Sequence, residues 1–388
     1  MNPTYNIASE LRTLPFCGLY IHVPFCHARC AYCDFYSQTS CHDTDQIRYC
    51  AAVKSSLDAL AETEVPISTL YFGGGTPSAL GSRLPDLVRY AKEKVPVQPD
   101  AEITVEVNPE SFDENLLEEL VASGVNRISV GVQALDDRVL SLLSRLHTKA
   151  DALRTLELLK KAGINYSVDL IAAIPSTTPE DMRAWIDEVA LYNPFHISLY
   201  PLSVEPRSVL ASDPLFQNID EDFAADCLEQ AWTDIEHHGF VHYEISNFAR
   251  EGFESKHNTS YWEGASYIGI GPSASSSINR LDSSRLRFTL TESLEEFCTL
   301  PALIMGKQDD TEELSATDAL REDIMLAMRL KSGVSLERVE AAGLIEVFQA
   351  LRGDGMCIFD KLSSRFIPTR RGWMLGNEMF GAIWCAEL

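Results

Sequence analysis

The sequence predicts an α/β protein: a partial or full β/α barrel followed by a small C-terminal α+β unit of winged-helix-like form. Two patterns predict the barrel. From about residue 18 to about residue 200, β-branched and aromatic runs alternate with amphipathic helical stretches at a period of roughly 30 residues, as in a parallel sheet with helices outside. The residues with chemical character fall at the C-terminal ends of those runs, where such barrels keep their working groups.

The elements follow in order. GLYIHV (18–23) is the first strand and DQIRYCAAVKSSLDALAE (45–62) the first helix. ISTLYF (67–72) ends at Gly73, and AEITVEV (101–107) is stopped by Asn108-Pro109. NRISVGV (126–132), NYSVDLIAAI (165–174) and FHISLYPL (195–202) complete the set. Helices are expected at 113–124, 148–163 and 178–192, with Gly124 and Gly163 placed as C-cap glycines. After about residue 205 the pattern changes: a helix at 223–239, an extra strand at 241–246, a loop carrying HNTSYW (257–262) and the Gly-rich YIGIGPSASSS (267–277). From about residue 310 the chain reads as helical, then as a short hairpin with a helix. The division is 1–290 for the barrel with its extension and 300–388 for the C-terminal unit.

Composition narrows the function. A net charge of −25 argues against nucleic-acid binding and against docking to an anionic membrane by charge alone. No run approaches the roughly 18 apolar residues of a membrane helix. The first residues lack a basic start and an apolar stretch, so no secretory signal is expected and the cytoplasm is the expected location. Ten cysteines are too sparse for a disulfide scaffold. Cys17, Cys41, Cys50, Cys227, Cys298, Cys357 and Cys385 show no ligand spacing and read as core or incidental thiols.

Cys26, Cys30 and Cys33 differ, because CHARCAYC puts three thiols on one short loop. Structural zinc and most iron–sulfur cubanes take four protein ligands. Three thiolates therefore suit a cluster with one iron open to a small molecule, although His22 or His27 would complete a Cys3His zinc site. YFGGGTP (71–77) lets backbone N–H groups approach a ligand, or is a tight βα turn. Glu106, among apolar neighbours, needs a partner: a ligand amino group or ribose hydroxyl, or a nearby Lys or Arg. Gln133, Arg145 and His147 share one unit, where the plainer reading makes Arg145 a helix cap and His147 a surface residue.

Residues 18–37, 71–78, 104–110, 127–147, 167–175 and 243–272 together resemble the coproporphyrinogen III oxidase-like branch of the radical S-adenosylmethionine (SAM) proteins. AYC before the last cysteine matches the radical SAM signature, and the tail resembles that family's C-terminal domain. The resemblance implies a partial (β/α)6 TIM-type barrel and a [4Fe–4S] cluster on Cys26, Cys30 and Cys33. It further implies SAM chelating the open iron, and reductive cleavage of SAM to methionine and a 5′-deoxyadenosyl radical. By position, Tyr20, Gly74, Gly75, Thr76 and Glu106 would hold SAM, while Tyr32, Gln133, Arg145 and Asp169 match the oxidase's second SAM site.

Two functions compete within this branch. The oxidase, which decarboxylates two propionates of coproporphyrinogen III, typically carries a further Cys two residues after the third; here Phe35 stands there. The heme-chaperone branch has Phe in a CDF context and an H-N-x-x-Y-W motif, matched by Cys33-Asp34-Phe35 and by residues 257–262. Only 25 residues precede Cys26, where family oxidases usually have more. The expectation is a heme-binding and transfer protein, with His257 as a heme contact or, alternatively, an anchor of its loop. Its expected partners are heme, a heme-acceptor protein and an electron donor of flavodoxin or ferredoxin type, with transient membrane association and a homodimer also allowed. Ala173, Ser176 and Ser275 depart from the family, standing where relatives carry Gly, often Gly, and often His.

Overall fold

In the computed structural model, the described residues are 5–6, 8–39, 42–217, 220–299, 304–305 and 311–386. Cys41 lies outside them.

Six strands, β1 (Cys17–Val23), β2 (Ile67–Gly74), β3 (Val97–Val107), β4 (Arg127–Gln133), β5 (Asn165–Ala172) and β6 (His196–Pro201), pair in parallel in chain order. Helices α1 (Asp43–Ala61), α2 (Arg83–Lys94), α3 (Glu114–Ser123), α4 (Lys149–Ala162) and α5 (Pro179–Ala190) connect them, together with a short helix at Asp137–Leu142. The predicted partial barrel is therefore observed. The caps behave as read: Gly124 and Gly163 are left-handed, at φ 102° and 65°. Thr148 and Thr178 accept from the N–H of Asp151 and Asp181 in capping boxes.

The sheet extends past both edges of the barrel. On one side β7 (Val241–Glu244) and β8 (Asn247–Ala249) add to β6 antiparallel. On the other, β9 (Tyr267–Ile270) runs parallel to β1, and β10 (Ser275–Asn279), β11 (Arg285–Thr289) and β12 (Thr311–Leu314) follow antiparallel. The chain after residue 310 thus begins as an edge strand of the large sheet before turning helical, which corrects the expected all-helical start. The C-terminal part holds a three-stranded antiparallel sheet of Val334–Ser335, Cys357–Asp360 and Arg365–Pro368 with helices packed around it. It is the small α+β unit the sequence predicts, and one apolar core runs from it into the barrel.

Strand alternation sorts the barrel residues. Leu19, Ile21, Leu70, Phe72, Ile103, Val105, Ile128, Val130, Val168 and Leu170 are buried in one core with helix residues such as Leu57, Leu87, Leu120 and Leu156. The alternate positions face the lumen, and it is polar: Tyr20, His22, Thr69, Tyr71, Glu102, Glu106, Arg127, Ser129, Ser167, Asp169 and His196.

The HNTSYW segment is α6 (Lys256–Trp262), not a loop. Ser255 accepts from the Asn258 N–H, and Glu102 of β3 accepts from the N–H groups of Lys256 and His257 at 3.0 and 3.1 Å. An acceptor so far away in sequence completes the cap, so local pattern alone does not reveal the helix.

Candidate functional site at the barrel mouth

The C-terminal strand ends form the mouth, and the cysteine loop leaves β1 there. All three thiols are free and partly exposed on one loop. Burial raises the Cys26 and Cys33 thiols, against hydrogen bonds from Thr76 and Ser37 in one case and from the Phe35 backbone in the other. Among the described residues no three His, Cys, Asp or Glu side chains converge closely enough to hold a single metal ion. The donor set suits an iron–sulfur cluster with an open site better than zinc. His22 spends both ring nitrogens, on Tyr20 Oη at 3.2 Å and the Tyr36 carbonyl at 2.9 Å, and His27 is exposed. His22 is therefore not free to act as a fourth protein ligand.

The glycine turn does something other than cradle a ligand with its N–H groups. Gly75 N–H donates to the Val23 carbonyl at 2.8 Å, and Thr76 N–H to the Phe25 carbonyl at 2.7 Å. Gly74 N–H donates to Glu106 Oε2 at 3.2 Å. A Cβ on Gly74 (φ +110°) would lie 2.5 Å from the His22 ring, and one on Gly75 3.0 Å from Cys26 Sγ. Close approach is therefore the reason for glycine here: the His22 ring of β1 at Gly74, and the start of the cysteine loop at Gly75.

Glu106 accepts from Tyr71 Oη at 2.8 Å and from Gly74. Burial pushes its carboxyl up to about 7, and Asp169 adds to the rise. Asp169 is raised too, mainly by burial, against hydrogen bonds from Ser129 at 2.9 Å and from Ser198 and Ser167. Among the described residues, neither carboxylate has a Lys or Arg nitrogen within 4.0 Å; Arg127, itself buried, lies farther off. A buried acidic pair short of positive charge is suited to a cationic ligand group.

Arg145 reaches the cysteine loop directly. Its Nη1 donates to Cys30 Sγ at 3.2 Å, and its Nη2 to Asn108 Oδ1 at 2.8 Å and the Gly131 carbonyl at 2.9 Å. Burial raises the Tyr32 hydroxyl, and the Arg145 charge beside it opposes that. Gln133 ends β4 with φ 66°, its Nε2 within 2.9 Å of where a Gly131 Cβ would stand. Arg145 is thus no helix cap. Nor is His147 a surface residue: it is 2 % exposed, with Nε2 on the Val132 carbonyl at 3.1 Å and Nδ1 3.4 Å from Glu110. Asn108, which the sequence marks only as a strand stop, joins this set; a position just past a barrel strand was the available signal.

His257 lies at the opposite end of the lumen. Its Nδ1 meets Thr69 Oγ1 at 2.7 Å and its Nε2 Tyr261 Oη at 2.8 Å, and its ring stacks on Tyr71 at 4.9 Å. It is 2 % exposed, and burial lowers it to about 3. Both ring nitrogens are hydrogen-bonded in this arrangement, which favours the alternative reading of His257 as an anchor of its segment over that of a heme contact.

Residues 20–189 match the sequence pattern of the radical SAM superfamily. Over 373 residues the chain is 33 % identical to the heme chaperone HemW of Lactococcus lactis, covering 93 % of this chain and 95 % of that protein. It is 32 % identical over 339 residues to the heme chaperone HemW of Escherichia coli, covering 86 % and 88 %. The chain belongs to the HemW family of radical SAM proteins. In fold it is similar to coproporphyrinogen III oxidase (HemN) from Escherichia coli, with a TM-score of 0.80 and 21 % identity over 98 % of this chain and 93 % of that one. Membership of the radical SAM superfamily implies a [4Fe–4S] cluster and SAM as cofactors. Within it, Phe35 is 69 % exposed, next to the ion pair of Asp34 and Arg207 at 3.2 Å.

Proposed function

We propose that this protein binds heme and passes it to an acceptor protein, on a scaffold that carries a [4Fe–4S] cluster and SAM. The observation that carries the reading is the near full-length similarity to proteins named heme chaperones. Phe35 in place of a fourth cysteine supports it against the oxidase.

Cys26, Cys30 and Cys33 would hold the cluster, and Tyr20, Gly74, Gly75, Thr76 and Glu106 would surround SAM. When bound, the cluster supplies an electron at low potential and one iron open to SAM. Around it the chain's own groups have separate tasks. The Gly75 and Thr76 N–H groups pin the cysteine loop to β2. Glu106 would offer its buried carboxyl to an ammonium group, since a cation alongside lowers a carboxyl that burial has raised. Asp169, with Tyr32, Gln133 and Arg145, offers a second polar set on the far side of the mouth. The exposed Phe35 ring provides apolar surface for a flat macrocycle.

The electron donor would be of flavodoxin or ferredoxin type, residues 1–290 would form the cofactor-bearing unit and 300–388 its C-terminal companion, and the cytoplasm is the proposed location. Homodimer formation and transient membrane association belong to the same proposal. Among the described residues no helix is long and apolar enough to cross a membrane. Anaerobic hemin titration, paired with assays of SAM cleavage and coproporphyrinogen turnover, tests the reading. Stoichiometric heme binding without decarboxylation is expected; formation of protoporphyrinogen would overturn it.

A further inference from the structure

We propose that Asn108 is a positioning residue that couples Cys26 to Cys30 from behind the cysteine loop and so sets the reduction potential of the cluster they hold. The inference rests on the reading that these thiols are cluster ligands.

The carboxamide of Asn108 sits in the middle of a hydrogen-bonded chain. Its Nδ2 donates to Thr76 Oγ1 at 2.9 Å, and the Thr76 hydroxyl donates on to Cys26 Sγ at 3.5 Å. Its Oδ1 accepts from Arg145 Nη2 at 2.8 Å, and Arg145 Nη1 donates to Cys30 Sγ at 3.2 Å. Arginine only donates, and the Thr76 proton is spent on sulfur, so the two ends of the amide are not interchangeable. Aspartate at this position would lack the donor, and an apolar residue would lack both groups. The surroundings hold the amide in place. Its backbone N–H donates to Ser78 Oγ at 3.4 Å, and a Cβ on Gly131 would lie 2.8 Å from Oδ1, so glycine leaves room for it.

Donors aimed at sulfur stabilise the more negative, reduced state and raise the potential. Loss of Asn108 frees Arg145 and Thr76 to turn away, which lowers it. The test uses anaerobically reconstituted full-length wild type, Asn108→Ala, Thr76→Ala and the double variant. It reads iron and sulfide per chain, melting temperature and a redox titration. Asn108→Ala should load iron yet show a reduced-to-oxidised ratio about tenfold lower at the wild-type midpoint, a shift of about 59 mV for one electron. Thr76→Ala should shift less. The double variant should match Asn108→Ala, because Asn108 acts on Cys26 through Thr76. An unshifted midpoint in Asn108→Ala, or additive shifts in the double variant, would overturn the proposal. If Asn108→Ala does not fold, Asn108→Asp takes its place in the same cycle with the same expected downward shift and non-additivity. Wild type that takes up no iron would remove the cluster reading and this proposal together; wild type that loads while the variant keeps its potential removes this proposal alone.

Discussion

The two ends of the barrel lumen use the same kinds of residue to opposite purpose. At the base, polar groups satisfy one another: Glu102 caps α6, and His257 is held between Thr69 and Tyr261. At the mouth, Glu106 and Asp169 are raised by burial with no Lys or Arg paired to them among the described residues, Arg127 acting only from farther off, and Arg145 donates to a cysteine sulfur. Buried polar networks that close on themselves rigidify a fold, whereas those left short of a partner mark where a ligand enters. The lesson is that two conspicuous motifs, the cysteine loop and HNTSYW, differ in role because of which end of the sheet they meet.

The largest expected effect probes the mouth. Cys30→Ser should abolish the brown colour and the broad absorbance near ~400 nm of the reconstituted protein. Iron and sulfide at wild-type levels would refute the ligand assignment. At the base, His257→Ala should cost roughly 2–4 kcal/mol by removing two hydrogen bonds and a stacked ring. The protein that remains folded should still bind heme. Loss of heme at an unchanged melting temperature would return His257 to the ligand set and break the contrast between the two ends.

Much of this was legible in the sequence. The strand runs, the C-cap glycines and the clustering of Cys26, Glu106, Gln133 and Asp169 at strand ends depend on periodicities of a few residues. What was not legible depends on distant partners. Glu102 completes the cap that makes HNTSYW helical, Glu110 and the Val132 carbonyl draw His147 inside, and the Val23 and Phe25 carbonyls take the N–H groups of Gly75 and Thr76. The departures Ala173 and Ser176 gain a physical meaning: they sit at φ 57° and 70°, where glycine is at ease and other residues are strained. Ser275 is an exposed strand residue that exchanges a hydrogen bond with Thr289 at 2.8 Å.

Glu106 gives a pH test. Burial pushes its carboxyl from the ordinary 4.5 up to about 7, so its contribution to stability is fully present below the lower value and is lost as pH rises through the upper one. Buried histidines such as His257 and His242, lowered to about 3, impose the opposite trend in wild type and variant alike. The difference between Glu106→Gln and wild type isolates the carboxyl. Without SAM, the variant should gain stability relative to wild type by up to a few kcal/mol between pH 5 and 8, read from melting temperatures. A flat difference would place Glu106 outside the buried mouth. The smallest effect belongs to Ala173→Gly, which should stabilise by about 1 kcal/mol by relieving the left-handed alanine. A loss in chemical denaturation would show that the strain is absent.

The most direct test of the central claim is an anaerobic hemin titration of cluster-loaded, SAM-bound protein, run beside a coproporphyrinogen III turnover assay. The account predicts stoichiometric heme binding with no protoporphyrinogen formed. Decarboxylation of coproporphyrinogen III without heme binding would contradict it.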